Sequence, residues 1–334
     1  VTGPAPRAPA NAGAQGQEHD AHDPGLLPSQ EHDARPQSTR AAILIPFALV
    51  TLIWGSTWFV IRDQLAVVPA GWSVTYRFIV GGLAMGVWAL VRRDRWAIGR
   101  HGVLFALAVG LLQFSGNFNF VYQAERFITS GLVAVLFALL LVPNALLARL
   151  FLGQRMGRQL IAGSAVAMAG VVLLLVQEVR ADPSGGGTAV AGIACTLAAI
   201  LAASSANVLQ GTEIAKRFPM APTLCIAMLG GAAIDAALAY VMSGPPRFDP
   251  RPSYAAGILY LGLFASALAF PLYYRVLRVI GPAKAAYSSV IVPVIAMLLS
   301  TLFEGYRWTP LAIGGGVLTG IGLVIALSAR RPNR

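Results

Sequence analysis

Ten stretches of about 20 predominantly apolar residues, the length a helix needs to cross the hydrocarbon core of a bilayer, follow one another between residues 41 and 329. Their limits are 41–61, 71–91, 102–123, 130–152, 158–177, 188–212, 222–243, 254–275, 283–304 and 309–329. The connections are short, as helix hairpins require. Pro69, Pro222, Pro282 and Pro310 fall at or near expected helix starts, where a missing N–H costs little. With 56% hydrophobic residues, 12% charged residues and a mean hydropathy of +0.67, the 334-residue chain is too apolar to bury its surface in itself. The reading is an all-α polytopic membrane protein with ten transmembrane helices, partnered over most of its surface by the lipid bilayer.

The net charge of +11 does not indicate a nucleic-acid partner, because the basic residues stand between apolar blocks instead of forming one patch. They give an orientation. Arg35, Arg40, Arg92, Arg93, Arg95, Arg100, Arg155, Arg158, Lys216, Arg217, Arg275, Arg278, Lys284, Arg330, Arg331 and Arg334 fall on one set of connections, and only Arg62, Arg126, Arg180, Arg247, Arg251 and Arg307 on the other. Cytoplasmic loops retain positive charge, so both termini are expected in the cytoplasm. Residues 1–40, rich in Pro, Ala, Gly, Gln and Asp, read as a disordered cytoplasmic tail, and residues 330–334 as a basic one. Cys195 and Cys225 lie in apolar segments at no metal or redox spacing, and His19, His22 and His32 belong to the polar tail. Neither a metal site nor a cofactor is expected.

The chain also resembles itself at an offset of about 152 residues. LeuPheLeuGlyGlnArg (Leu150 to Arg155) then faces LeuPheGluGlyTyrArg (Leu302 to Arg307), with Gly110 on Gly262, Tyr122 on Tyr274, Arg126 on Arg278, Gly163 on Gly315 and Gly170 on Gly322. The first two spans of each half align less well, Pro69 on Pro219 being the best anchor. Residues 41–177 and 188–329 thus read as two five-helix repeats joined by a periplasmic linker, 178–187. Because five is odd, the second repeat enters the membrane inverted, and inverted repeats are the architecture of alternating-access transporters.

Several short motifs, in this order and spacing, resemble the EamA-type members of the drug/metabolite transporter superfamily. They are TrpGlySerThrTrpPhe (Trp54 to Phe59), TyrArgPhe (Tyr76 to Phe78), AlaLeuLeuAlaArgLeuPheLeuGlyGln (Ala145 to Gln154), GlyProAlaLysAlaAla (Gly281 to Ala286) and ValProValIleAla (Val292 to Ala296). The chain departs from that pattern at Gln154 and Tyr306, where the family often carries glutamate. The resemblance implies a non-enzymatic, bacterial-type inner-membrane protein that exports or exchanges small metabolites, often amino acids, through a cavity between the halves. Among its subfamilies, the aromatic-amino-acid exporters look closest.

Polar side chains in mid-span are costly unless paired or facing a wet cavity, and they nominate the site. Gln113 and Asn117 share one helix face; Trp54, Ser56, Thr57 and Trp58 stand in the first span; Ser204, Ser205, Asn207 and Gln210 in the sixth; Tyr274, Tyr287, Ser288 and Ser289 in the eighth and ninth. The candidate substrate-binding set is Trp54, Thr57, Trp58, Gln113, Asn117, Ser204, Asn207, Tyr274 and Ser288, suited to a neutral or zwitterionic solute with an apolar side chain. The serines equally suit helix association, and the two tryptophans, like Tyr273 and Tyr274, equally suit an interfacial belt. Arg77 and Asp235 lie at similar depth, so a pair between them is open; both are coupling candidates, Asp235 as the proton carrier, and Arg77 equally suits a structural role, capping carbonyls or snorkelling. The glycine sets Gly81–Gly82, Gly230–Gly231 and Gly314–Gly316 read as sites of close helix approach.

The first span carries no glutamate, unlike the small four-helix multidrug relatives, and the midplane lacks the basic cluster a sugar-phosphate exchanger would need. Drug efflux or lipid-linked-sugar flipping remains the alternative within the superfamily. A membrane-embedded enzyme is disfavoured because the spans lack His apart from His101 at a helix entrance. The substrate, the coupling ion, the direction and the oligomeric state, for which a monomer is one option, stay open.

Overall fold

The computed structural model describes residues 35–154, 157–181, 186–286 and 288–327, together with Gly3. All regular structure among them is helical. In lipid a backbone N–H or C=O has no water to turn to, and a helix satisfies these groups within one segment. Ten long helices result among the described residues: α1 (Arg35–Gln64), α2 (Ala70–Val91), α3 (Gly99–Ala124), α4 (Ser130–Leu152), α5 (Arg158–Ala181), α6 (Gly187–Gln210), α7 (Met220–Ser243), α8 (Pro252–Ile280), α9 (Ser288–Phe303) and α10 (Pro310–Leu327). The first eight contain segments long and apolar enough to cross a membrane, and α9 and α10 add the shorter apolar stretches Val292–Phe303 and Pro310–Ala326. We call face A the side of loops 65–69, 125–129, 244–251 and 304–309, and face B the side of loops 92–98, 211–219 and 281–286.

Several boundaries differ from the sequence reading; α5 runs to Ala181 instead of 177 and α9 begins at Ser288 instead of 283. The chain is already helical at Arg35, inside the stretch expected to be disordered; the remaining tail residues other than Gly3, and residues 328–334, lie outside the described residues. α7 begins at Met220, two residues earlier than expected, which keeps Pro222 in the first turn of the helix. α8 runs to Ile280, five residues past its expected end, until Gly281 at φ +85° turns the chain. Residues 282–285 then form a separate turn before α9.

The repeat shows in how the helices pair. α1 packs on α9 and α4 on α6; α2 packs on α8 and α7 on α3; α1 packs on α8 and α6 on α3. Exchanging the halves, so that each helix takes the place of the one five later, turns each contact into its partner. α2 on α7 and α5 on α10 map onto themselves. Both α3 and α8 widen into π-helix at matching positions, Gly110–Asn117 and Tyr260–Leu268. Such widened turns recur at functional sites because they re-aim side chains.

The α5–α10 seam shows why the repeat keeps its glycines. A Cβ on Gly163 would lie 2.2 Å from Ala326 N, and one on Gly322 would lie 2.1 Å from Ala167 N. Gly170 and Gly315 make the corresponding approach one turn-pair along, a Cβ on Gly170 falling 2.6 Å from Gly315 O. Backbone thus meets backbone, the small-residue contact by which helices associate in lipid. Of the glycines expected to serve close approach, Gly81, Gly82, Gly230, Gly231 and Gly315 have atoms that a Cβ would meet, whereas Gly314 and Gly316 face open space. Leu83, Val87, Leu104, Leu201, Leu238 and Val317 are exposed apolar residues of the outer surface, where lipid is their solvent.

Candidate functional site

A cavity of about 100 Å³ lies at the centre of the helices, lined by residues of α1, α2, α3, α4, α6, α8 and α9. Its walls are aromatic: Trp54, Trp58, Phe118, Phe137, Phe270 and Tyr273. Trp54 stacks at a tilt on Phe270 and Tyr273, with centroids 5.2 and 5.0 Å away, and its Nε1 donates to Ala265 O at 3.1 Å. Trp58 packs on Phe137 at 5.3 Å. Polar groups enter at a few points only, namely Thr57, Arg77, Gln113, Asn117 and Asn207.

The π-helical turn in α3 presents Gln113 and Asn117 to the cavity together. Its counterpart in α8 lets Ser266 Oγ donate to Leu261 O, five residues back, at 2.8 Å. The same hydroxyl accepts from Arg77 Nε at 3.1 Å, while the guanidinium carbon sits 4.2 Å from the Phe118 ring centroid. Burying a guanidinium is tolerable only with such partners. Three fully buried polar atoms of the cavity residues nevertheless have no hydrogen-bond partner: the donors Arg77 Nη1 and Trp58 Nε1, and the acceptor Asn117 Oδ1.

Of the residues singled out from the sequence, Trp54, Thr57, Trp58, Arg77, Gln113, Asn117 and Asn207 line this cavity. Ser204 and Tyr274 are wholly buried but are not among its lining, and Ser56 turns to Tyr260 Oη at 2.6 Å. The side chains of Tyr287, Ser288 and Ser289 lie outside the described residues. Tyr273 and Tyr274 are 4% and 0% exposed, so they are enclosed by protein and not part of a lipid-facing belt. Arg77 and Asp235 do not pair: Arg77 reaches α8, and Asp235 Oδ1 accepts from Asn119 Nδ2 of α3 at 2.6 Å, leaving Oδ2 without a partner.

Buried polar contacts lie beyond the cavity toward each face, and we call the group toward face A the face-A closure. Toward face A, beyond Ile61 and Val121, Tyr122 Oη donates to Gln64 Oε1 at 2.9 Å, both residues being wholly buried. Beyond them Arg62 donates to the Glu125 carbonyl, and Arg251 joins Asp249 at 2.6 Å and Asp63 at 3.4 Å. Toward face B, Asn207 Nδ2 approaches Asn144 Oδ1 at 3.5 Å and Arg278 Nη2 donates to Gln210 Oε1 at 2.8 Å. Tyr274, the repeat counterpart of Tyr122, lies here with its hydroxyl unpartnered. Gln64, Tyr122 and Glu125 escaped the sequence reading because they sit at helix ends, where polar residues ordinarily meet water. The match of Tyr122 to Tyr274 in the repeat was the signal that could have found them.

Known proteins agree with this architecture. The sequence matches the EamA-like transporter family over residues 41–176 and 190–328. Among curated proteins, Protein PagO of Salmonella typhimurium is 24% identical, over 87% of this chain and 94% of its own length. The "Probable terminal-alkyne amino-acid exporter" of Streptantibioticus cattleyicolor is 29% identical over 86% and 93%. The inner membrane transporter YedA of Escherichia coli is 29% identical over 78% and 81%. One crystal structure superposes with a TM-score of 0.64 at 20% identity, covering 86% of this chain and 96% of that one, which shows the shared fold. With family matches over both halves, paired helices related by repeat exchange and a cavity between them, this chain belongs to the EamA-like transporter family.

Proposed function

We propose that this protein moves small zwitterionic metabolites with an apolar side chain, amino acids among them, outward across the bacterial inner membrane by alternating access. The observation that carries this reading is the set of unpartnered atoms on an aromatic-walled cavity. Arg77 Nη1 and Trp58 Nε1 offer donors to a carboxylate, and Asn117 Oδ1 offers an acceptor to an ammonium group. A site that holds buried polar atoms without partners selects a ligand that supplies them. The aromatic walls suit an apolar or aromatic side chain. The amino-acid exporter among the relatives supports the substrate class, and the alternation of basic loops supports cytoplasmic termini, with face A periplasmic. For energy coupling we assign the proton to Asp235, the carboxylate of α7 with one free oxygen.

Counterflow of radiolabelled amino acids into proteoliposomes tests the site. Saturable exchange is expected, with Asn117→Ala and Gln113→Ala each weakening it at least tenfold. Unchanged exchange in both variants would remove the cavity from the transport path.

A further inference from the structure

Glu125 stands one residue beyond the end of α3, is 0% exposed, and neither of its carboxylate oxygens has a hydrogen-bond partner. Glu304, at the end of α9, is in the opposite situation. It accepts from Ser130 N at 3.2 Å, from Ser130 Oγ, and from Ser300 Oγ at 2.9 Å, at the N-terminus of α4 where the helix dipole favours negative charge. The ionisable groups that face Glu125 are Glu304, Arg62 of α1, Arg77 of α2 and, on its own helix, Tyr122. Arg62 directs Nη1 to the backbone carbonyl of Glu125. One carboxyl is thus supplied with donors and its neighbour is denied them. An unpaired buried carboxylate is far costlier than the neutral acid. Burial first, and the neighbouring Glu304 second, hold the Glu125 carboxyl well above the usual carboxylate range.

We propose that Glu125 is a proton-binding site of the face-A closure, distinct from Asp235, loaded when that face seals and unloaded when it opens. In the closed form the side chain is a neutral carboxylic acid. When α1, α3, α4 and α9 part, water reaches it, the O–H bond breaks, and the proton passes to water as hydronium while the carboxylate keeps the electron pair. The sign follows from linkage. The closed state binds the proton more tightly, so acid favours closure; as the pH rises from the ordinary carboxylate range through the raised value, closure loses up to tenfold per pH unit. Only the opening step rests on alternating access; the protonated carboxyl of the closed form does not depend on it.

Two measurements on the full chain test it. Infrared spectra of the purified protein at neutral pH should show a protonated-carboxyl C=O band that Glu125→Gln removes and Asp235→Asn leaves. Persistence of every such band in Glu125→Gln would overturn the proposal, whatever the substrate proves to be. The second uses Ile61→Cys, placed behind the closure, in a chain with Cys195→Ser and Cys225→Ser, and a bulky membrane-impermeant thiol reagent on the face-A side. Labelling, divided at each pH by that of the same cysteine in the denatured chain to remove the thiolate fraction, should rise with pH, lose that rise in Glu125→Gln, and shift its midpoint to lower pH in Glu304→Gln, which removes the repelling neighbour. A pH response unmoved by either variant would equally overturn it.

Discussion

Removing one hydroxyl at the face-A closure should open the protein by a predictable amount. Tyr122 and Gln64 are both wholly buried and joined at 2.9 Å, and Gln64 Nε2 already lacks a partner. Tyr122→Phe leaves the ring in place and strips Gln64 of its remaining side-chain bond. An orphaned buried acceptor costs about 1–3 kcal/mol. In a state open at face A water would solvate Gln64, so the cost falls on the closed state alone. The closed-to-open ratio should therefore drop roughly 5- to 150-fold. Thiol labelling of Ile61→Cys from the face-A side reads this directly, because Ile61 lines the cavity just behind the bond and is 1% exposed. Tyr274→Phe supplies the contrast. Its hydroxyl has no partner in this conformation, so its loss costs the closed state nothing and labelling should not rise. Equal labelling of Tyr122→Phe and the parent chain would refute the assignment of this bond to the closure.

Other expectations follow from single observations. Gly163→Ala should lower thermal stability in detergent by about 1–3 kcal/mol, the usual cost of overfilling a packed contact, since its Cβ would meet backbone that cannot rotate aside; Gly314→Ala, facing open space, should leave the melting temperature unchanged or slightly higher. Arg77→Lys should weaken zwitterion exchange at least tenfold in counterflow, because an ammonium reproduces neither the bond from Nε to Ser266 nor the flat contact with Phe118. Asp235→Asn should keep counterflow and lose acid-driven accumulation in the same proteoliposomes; retained accumulation would exclude Asp235 as the coupling group.

The candidate site was legible in part, and the part has a reason. Gln113, Asn117 and Asn207 could be picked from the sequence because an amide in mid-span has few inexpensive places to go. Phe118, Phe137, Phe270 and Tyr273 could not, since an aromatic residue in an apolar run looks the same whether it faces lipid, a neighbouring helix or a cavity. Arg77 and Asp235 have similar depths, which the residue count gives, but their partners depend on rotation about the helix axis. One turned to Ser266 of α8 and the other to Asn119 of α3. The widened turns in α3 and α8 carry no compositional mark, although Gly110 and Gly262 held the repeat register through them.

What the amino-acid sequence determined alone is what a local rule can decide. Apolar length sets the number of crossings, and a repeat of five crossings must invert. The register that sets Gly163 on Gly315 and Gly170 on Gly322 was also readable there. Tertiary structure decided that these glycines meet across the repeats, Gly163 against Gly322 and Gly170 against Gly315, because a close approach is a property of two helices at once. It likewise decided that Glu125, next to a loop and beside Arg126, is sealed from water. Burial at a helix end depends on what the other helices bring over it, here the ends of α1 and α9, and no window of neighbouring residues contains that information.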